Sequence, residues 1–204
     1  MTLSVDHDYK TLLSAALNVY QHHDEMMAFA PLPDDIISQP LTPRAHNASH
    51  LLQTETELTS TYYQDLTSLI QNTAPQMCWR NIYSPPPNAP PSQAYEFSKR
   101  LGCYSLIGRD GPFASDSLRL FVIYMPAHLH YPWHTHPAEE IYMVLSGEAI
   151  FKRKGYDDER LGEGQTMFHQ SQLAHAIETK DRPMISLVAW RDHLDTPPIL
   201  LEDK

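Results

Sequence analysis

The chain has 204 residues, 42% of them hydrophobic and 20% charged, enough for one domain with a real core or one domain with an appendage. Its net charge of −10 argues against a nucleic-acid partner, whose phosphates call for a basic surface, and suits solubility and a cationic small substrate. The two cysteines, Cys78 and Cys103, form no CxxC pair, no apolar run approaches the ~18 residues of a membrane span, and MTLSVDHDYK lacks the charge and apolar core of a secretion signal; a reduced cytoplasmic setting and no membrane contact are expected.

In chain order, apolar residues first recur at helical spacing. Tyr9, Leu12, Leu13, Ala16, Leu17 and Tyr20 trace one stripe of a helix expected over about residues 6–29. Proline then punctuates PLPDDIISQPLTP, which reads as a loop. Thr42-Pro43 suits the start of a second helix, whose stripe is Leu51, Leu52, Leu58, Tyr62, Leu66, Leu69 and Ile70. Such stripes are normally core; they also suit a subunit interface, so a homodimer stays open. The run SPPPNAPP at 84–91 reads as an extended polyproline spacer.

Beyond it the period falls to two. Strands are expected over 95–107, 118–125, 140–145, 148–153, 165–168, 174–178 and 184–190, with turns at residues 108–111, 146–147, 154–155 and 162–164. About seven short, closely spaced strands with glycine turns indicate a sandwich or barrel. The expected division is a helical segment at 1–84, a connector at 85–94 and a β-barrel at 95–204.

The densest chemistry lies in His134-Thr135-His136-Pro137-Ala138-Glu139-Glu140. Alternation along a strand points His134 and His136 the same way, and after the short turn Glu140 and Tyr142 share one face. Two imidazoles and a carboxylate converging on one spot are ligands for a first-row divalent metal, and His175, on a separate strand, is the best candidate for a fourth. Fe²⁺, Mn²⁺, Co²⁺ and Ni²⁺ suit this set with two exchangeable positions; Zn²⁺ suits it at lower coordination number. His128, His130, His169 and His193 carry no such spacing and read as ordinary polar residues.

These residues resemble the cupin superfamily. In its motif G-x5-H-x-H-x3,4-E-x6-G, His134, His136, Glu140 and Gly147 fit, while His128 replaces the leading glycine. In its second motif, G-x5-P-x-G-x2-H-x3-N, Gly164 and His175 fit, whereas Gln170, Gln172 and Thr179 depart from it. The stretch 118–147 looks more narrowly like the cupin-type dimethylsulfoniopropionate (DMSP) lyases, and the layout of helical segment plus one cupin looks like their Q-type members. That resemblance implies a mainly β fold: a single cupin (jelly-roll) barrel with the N-terminal helical segment packed on its outside. It also implies a bacterial carbon–sulfur lyase that splits a small zwitterionic sulfonium substrate into dimethyl sulfide and acrylate, with one divalent metal on His134, His136, Glu140 and His175. Tyr142 is then the base and Tyr131 a second active-site tyrosine. Aromatic faces stabilise a sulfonium, and Trp133 and Trp190 are candidates to supply them. Two other readings stay open: an Fe(II) dioxygenase-like metallo-cupin, and a non-catalytic cupin binding module.

Overall fold

The structure, a computed structural model, describes residues 2–83 and 93–201; the expected polyproline run lies outside the described residues. Five α-helices precede the barrel: α1 (Thr2–Gln21), α2 (Asp24–Phe29), α3 (Asn47–Thr54), α4 (Gln64–Thr73) and α5 (Gln93–Arg100). Eleven strands make one continuous, folded-over sheet: β1 (Ile37–Ser38), β2 (Gly102–Ile107), β3 (Phe113–Ala114), β4 (Arg119–Met125), β5 (His130–Thr135), β6 (Glu139–Arg153), β7 (Glu159–Gly162), β8 (Thr166–His169), β9 (His175–Glu178), β10 (Met184–Arg191) and β11 (Ile199–Leu200). The strand order is β1-β3-β2-β4-β10-β6-β9-β5-β11, with β7 and β8 also pairing β6. This is the mainly β barrel with outer helices that the resemblance implies. No helix among the described residues is long and apolar enough to cross a membrane.

Strands β4 and β10 and residues 140–147 of β6 are buried on both faces. Ile141, Met143 and Leu145 of β6, with Ile185, Leu187 and Ala189 of β10, join Leu12, Tyr20, Leu52 and Ile70 of the helices in one apolar cluster. The alternate residues Tyr142, Val144, Val188 and Trp190 join Phe151, Met167 and Ile177 in a second cluster that fills the barrel. Burying one such large side chain is worth roughly 1.5–3 kcal/mol. The helices thus cover the outer face of the sheet whose inner face carries the site.

The helical and strand boundaries depart from the sequence expectation in five notable places. The helix expected over 6–29 breaks after Gln21, because extended His23 sends its Nε2 to the Gly164 carbonyl, 2.9 Å away, tying the helical layer to a barrel turn. The second helix starts at Asn47, not Thr42, since Arg44 is drawn into backbone pairing with Met77 and Trp79 while His46 caps the Ala48 N–H. It is interrupted over 55–63, where threonines are weak helix formers and the Glu163 carboxylate accepts from Ser60 Oγ and from the N–H groups of Thr61 and Tyr62. The first part of the strand expected over 95–107 is instead α5, whose 97/101 apolar pair has helical spacing: the Leu101 N–H donates to the Phe97 carbonyl at 2.8 Å, and both side chains are buried.

The fifth departure shapes the barrel. No turn separates 140–145 from 148–153; β6 is one strand of 15 residues that pairs β10 and β8 first, then β7 and β9. It bends at Gly147, which has φ +76°, beside a register shift opposite Ile185/Ser186. A Cβ there would lie 1.7 Å from the Pro183 carbonyl oxygen. Gly147→Ala is therefore expected to cost more than about 1 kcal/mol; a urea midpoint equal to wild type would refute this.

Glu163 yields a pH prediction. Partial burial opposes its ionisation, but the Ser60, Thr61 and Tyr62 donors outweigh that and hold its carboxyl below the usual range. A carboxyl whose folded pKa is depressed adds stability above its unfolded value of about 4.3, and that stability is lost as pH falls through the folded value. Wild type should therefore lose more stability than Glu163→Gln on going from pH 6 to pH 3; parallel denaturation curves would exclude this.

Candidate metal centre and its cavity

Three imidazoles are held in one tautomer by their own backbone. The Nδ1 atoms of His134, His136 and His175 lie 2.8, 2.9 and 2.8 Å from the carbonyls of Pro132, Ala138 and Leu173. A carbonyl only accepts, so each Nδ1 carries a proton and each Nε2 is the ring nitrogen turned toward the centre. Burial lowers the His136 pKa, but the facing Glu140 carboxylate outweighs it and raises the value above that of an ordinary imidazole. The ligand atoms of these three residues lie within 4.8 Å of one another, and all three side chains are buried. His134 and His175 are direct cross-strand partners, with ring centroids 4.1 Å apart.

Glu140 closes the set from β6. Its Oε2 lies 3.4 Å from His136 Nε2 and 3.2 Å from His175 Nε2. Burial raises its pKa, but the surrounding imidazoles prevail and hold the carboxyl well below its ordinary range. Burial and neighbouring His175 hold His134 well below the usual imidazole value, so it is neutral. The Nε2 atoms of His136 and His175 are buried without a hydrogen-bond partner. Unpartnered Nε2 atoms beside an ionised carboxylate suit a divalent cation, whose binding displaces any proton they carry, and the donor set fits one.

The centre opens into a cavity of about 370 Å³, within the range of small-molecule sites. His134, His136, Glu140, Tyr131, Tyr142 and Trp190 all line it. Trp133 does not: it is half-buried one residue before His134, and its carbonyl accepts from the Leu201 N–H. Tyr131 turns inward, although its parity is opposite to that of His134, because the β5–β9 register slips between them. Three residues of β5 advance where β9 advances two, and Pro132, which has no N–H to leave unpaired, sits in this bulge. Tyr131 consequently stacks on His134, centroids 4.0 Å apart and planes at 9°. Burial, then the Glu140 charge, pushes both Tyr131 and Tyr142 well above the ordinary phenol value, so both hydroxyls are protonated around the metal-free centre. Burial likewise raises the Cys103 thiol in the cavity wall to about 12, which leaves it a poor nucleophile.

Two features of the cavity escape a reading by motif. His169, which reads as an ordinary polar residue in the sequence, is fully buried, bonds Glu140 through Nδ1 at 2.9 Å and stacks on His175 at 3.9 Å. The mouth carries a charged cluster: Asp195 pairs with Arg109 at 2.5 Å and with buried Arg119, and Arg80 pairs with Asp110 at 3.0 Å. Arg119 Nε also donates to the Leu194 carbonyl at 2.7 Å, so the segment 194–198 is fastened along one wall of the cavity.

Residues 25–186 match the dimethylsulfoniopropionate lyase family model. The chain is 40% identical over 195 residues to the dimethylsulfoniopropionate lyase DddQ of Ruegeria pomeroyi DSS-3, covering 96% of this chain and 94% of that protein. The crystal structure of that organism's DMSP lyase DddQ superposes with TM-score 0.90 at 38% identity, over 98% of this chain and 100% of the other. A chain from the crystal structures of the DMSP lyases RdDddP and RnDddQII superposes with TM-score 0.86 at 30% identity, over 97% and 100%.

Two overlapping triads of buried donors, His134-His136-His175 and Glu140-His169-His175, each with ligand atoms within 4.8 Å of one another, predict metal-linked stability. A cation at a hundred times its Kd adds about 2.7 kcal/mol. Chelator-treated protein should gain several degrees in Tm on adding Mn²⁺, Co²⁺ or Zn²⁺, and His136→Ala or His175→Ala should lose most of that gain. An unchanged wild-type Tm with all three ions would remove the metal assignment.

Proposed function

The chain belongs to the dimethylsulfoniopropionate lyase family, and on that premise we propose that it cleaves this substrate to dimethyl sulfide and acrylate by base-initiated β-elimination. The observation that supports the reading is that two buried tyrosines line one cavity together with His134, His136 and Glu140. His134, His136, Glu140 and His175 would hold one divalent cation, drawn from Fe²⁺, Mn²⁺, Co²⁺, Ni²⁺ and Zn²⁺. When bound, its charge neutralises the substrate carboxylate, stabilises the negative charge that builds beside it and favours tyrosinate over phenol.

The protein's own part is positioning and proton transfer. Tyr142 takes the proton from the carbon next to the carboxylate. The electron pair left there forms the carbon–carbon double bond as the carbon–sulfur bond breaks, and sulfur departs as neutral dimethyl sulfide. The proton passes from Tyr142 to water, which restores the base. Tyr131, held in place by stacking on His134 and Phe97, borders the substrate in the same cavity as the second tyrosine of the site. Trp190 offers the sulfonium an aromatic face, while its ring also packs on His136 at 4.4 Å. Trp133 does not line this cavity and is not assigned a part in binding.

The elimination consumes no oxygen and changes no oxidation state, which separates it from dioxygenase chemistry on the same ligands. Headspace dimethyl sulfide from metal-loaded protein under nitrogen tests the reading. Wild type should release it, Tyr142→Phe should lose about 10²–10⁴-fold as a missing general base does, and His136→Ala should lose activity together with metal. Full activity in Tyr142→Phe would dismiss the base; a silent wild type with every one of the five metals would dismiss the substrate and leave the metal centre standing.

A further inference from the structure

Glu140 is flanked, strand by strand, by two nitrogen donors. In the register of β6 it lies directly opposite Trp190 of β10 on one side and directly opposite His169 of β8 on the other. Direct cross-strand partners project from the same face, so all three side chains enter the barrel as a row, and all three are buried. The two carboxylate oxygens are claimed separately. Trp190 Nε1–H donates to Oε1 at 2.6 Å, and His169 Nδ1 meets Oε2 at 2.9 Å. An ionised carboxylate only accepts, so His169 Nδ1 carries the proton; its Nε2 is buried with no partner. Oε2 is also the oxygen turned toward His136 and His175.

We propose that Trp190, Glu140 and His169 form a cross-strand clamp that keeps Glu140 a one-oxygen ligand, through Oε2, and so determines how many positions on the cation stay open to substrate. A carboxylate free to turn about its last bond can chelate through both oxygens and take a second position. Here Oε1 is committed to the indole and Oε2 is fixed in direction by the imidazole, and charge-assisted bonds of this kind are about twice as strong as neutral ones. His169 and Trp190 are positioning residues in this scheme: they act on the metal through Glu140. The inference rests on the metal centre assigned above and is independent of which substrate the centre serves.

The test is made on the full chain loaded with Co²⁺, whose visible absorption reports coordination number and geometry. His169→Phe and Trp190→Phe each keep a ring and remove one donor, whereas His169→Asn restores an amide N–H near the place of Nδ1. Both Phe variants should change the Co²⁺ spectrum and raise its dissociation constant, measured against a chromophoric chelator, by about 10–100-fold, the usual effect of losing a residue that orients a ligand. His169→Asn should return both readings toward wild type. The clamp is refuted if both Phe variants match wild type in spectrum and affinity. It is equally refuted if pulsed electron paramagnetic resonance on the Cu²⁺ form counts one more coordinated imidazole in wild type than in His169→Phe, which would make His169 a ligand. Should one Phe variant fail to fold, the other carries the same prediction from the opposite side of Glu140. Wild type that takes up no Co²⁺ at all would instead overturn the metal centre, and the clamp with it.

Discussion

Strand β6 is buried on both faces over residues 140–147, and the parity this imposes connects the helical layer to the cavity. Ile141, Met143 and Leu145 can only face the helices if Glu140, Tyr142 and Val144 face the barrel. A slip of one residue would expose the carboxylate to an apolar layer and drive three large apolar side chains into the metal cavity. The outer helices therefore do more than shield the sheet: their apolar face fixes the register that aims Glu140 and Tyr142. Gly147 lets the same strand leave one side of the barrel and serve the other, so β6 pairs with every strand that supplies His169, His175 or Trp190.

The local part of this arrangement is legible in the sequence. His134, His136, Glu140 and Tyr142 lie within nine residues, where alternation and one short turn suffice to place them on a common face. Tyr131 is not legible by that rule, because the Pro132-Trp133 bulge inverts parity between it and His134. The same inversion leaves Trp133 outside the cavity. His169 carries no local signal, since its meaning comes from standing opposite Glu140 in a pairing between separate strands. The helix breaks at residues 22–23 and 55–63 belong to the same category: the Gly164 carbonyl and the Glu163 carboxylate that reward them lie more than a hundred residues further on.

Electrostatics divide the cavity into two regions. Around the donors, burial keeps His134 neutral and both phenols protonated, and the carboxylate is the charge about which the imidazoles arrange themselves. At the mouth, three arginines and two aspartates leave one positive charge in excess. In a chain whose net charge is −10, that local surplus runs against the overall field and meets an incoming carboxylate end first.

The wall built from residues 194–198 couples the mouth of the cavity to a ligand strand. Leu200 and Ile199 pair with His134 and Thr135, and Asp195 is fastened to Arg109 and Arg119, so this segment is anchored at both of its ends. A displacement of the wall therefore pulls on the strand that carries His134, and the ion pairs at the rim and one of the innermost donors form a single mechanical unit.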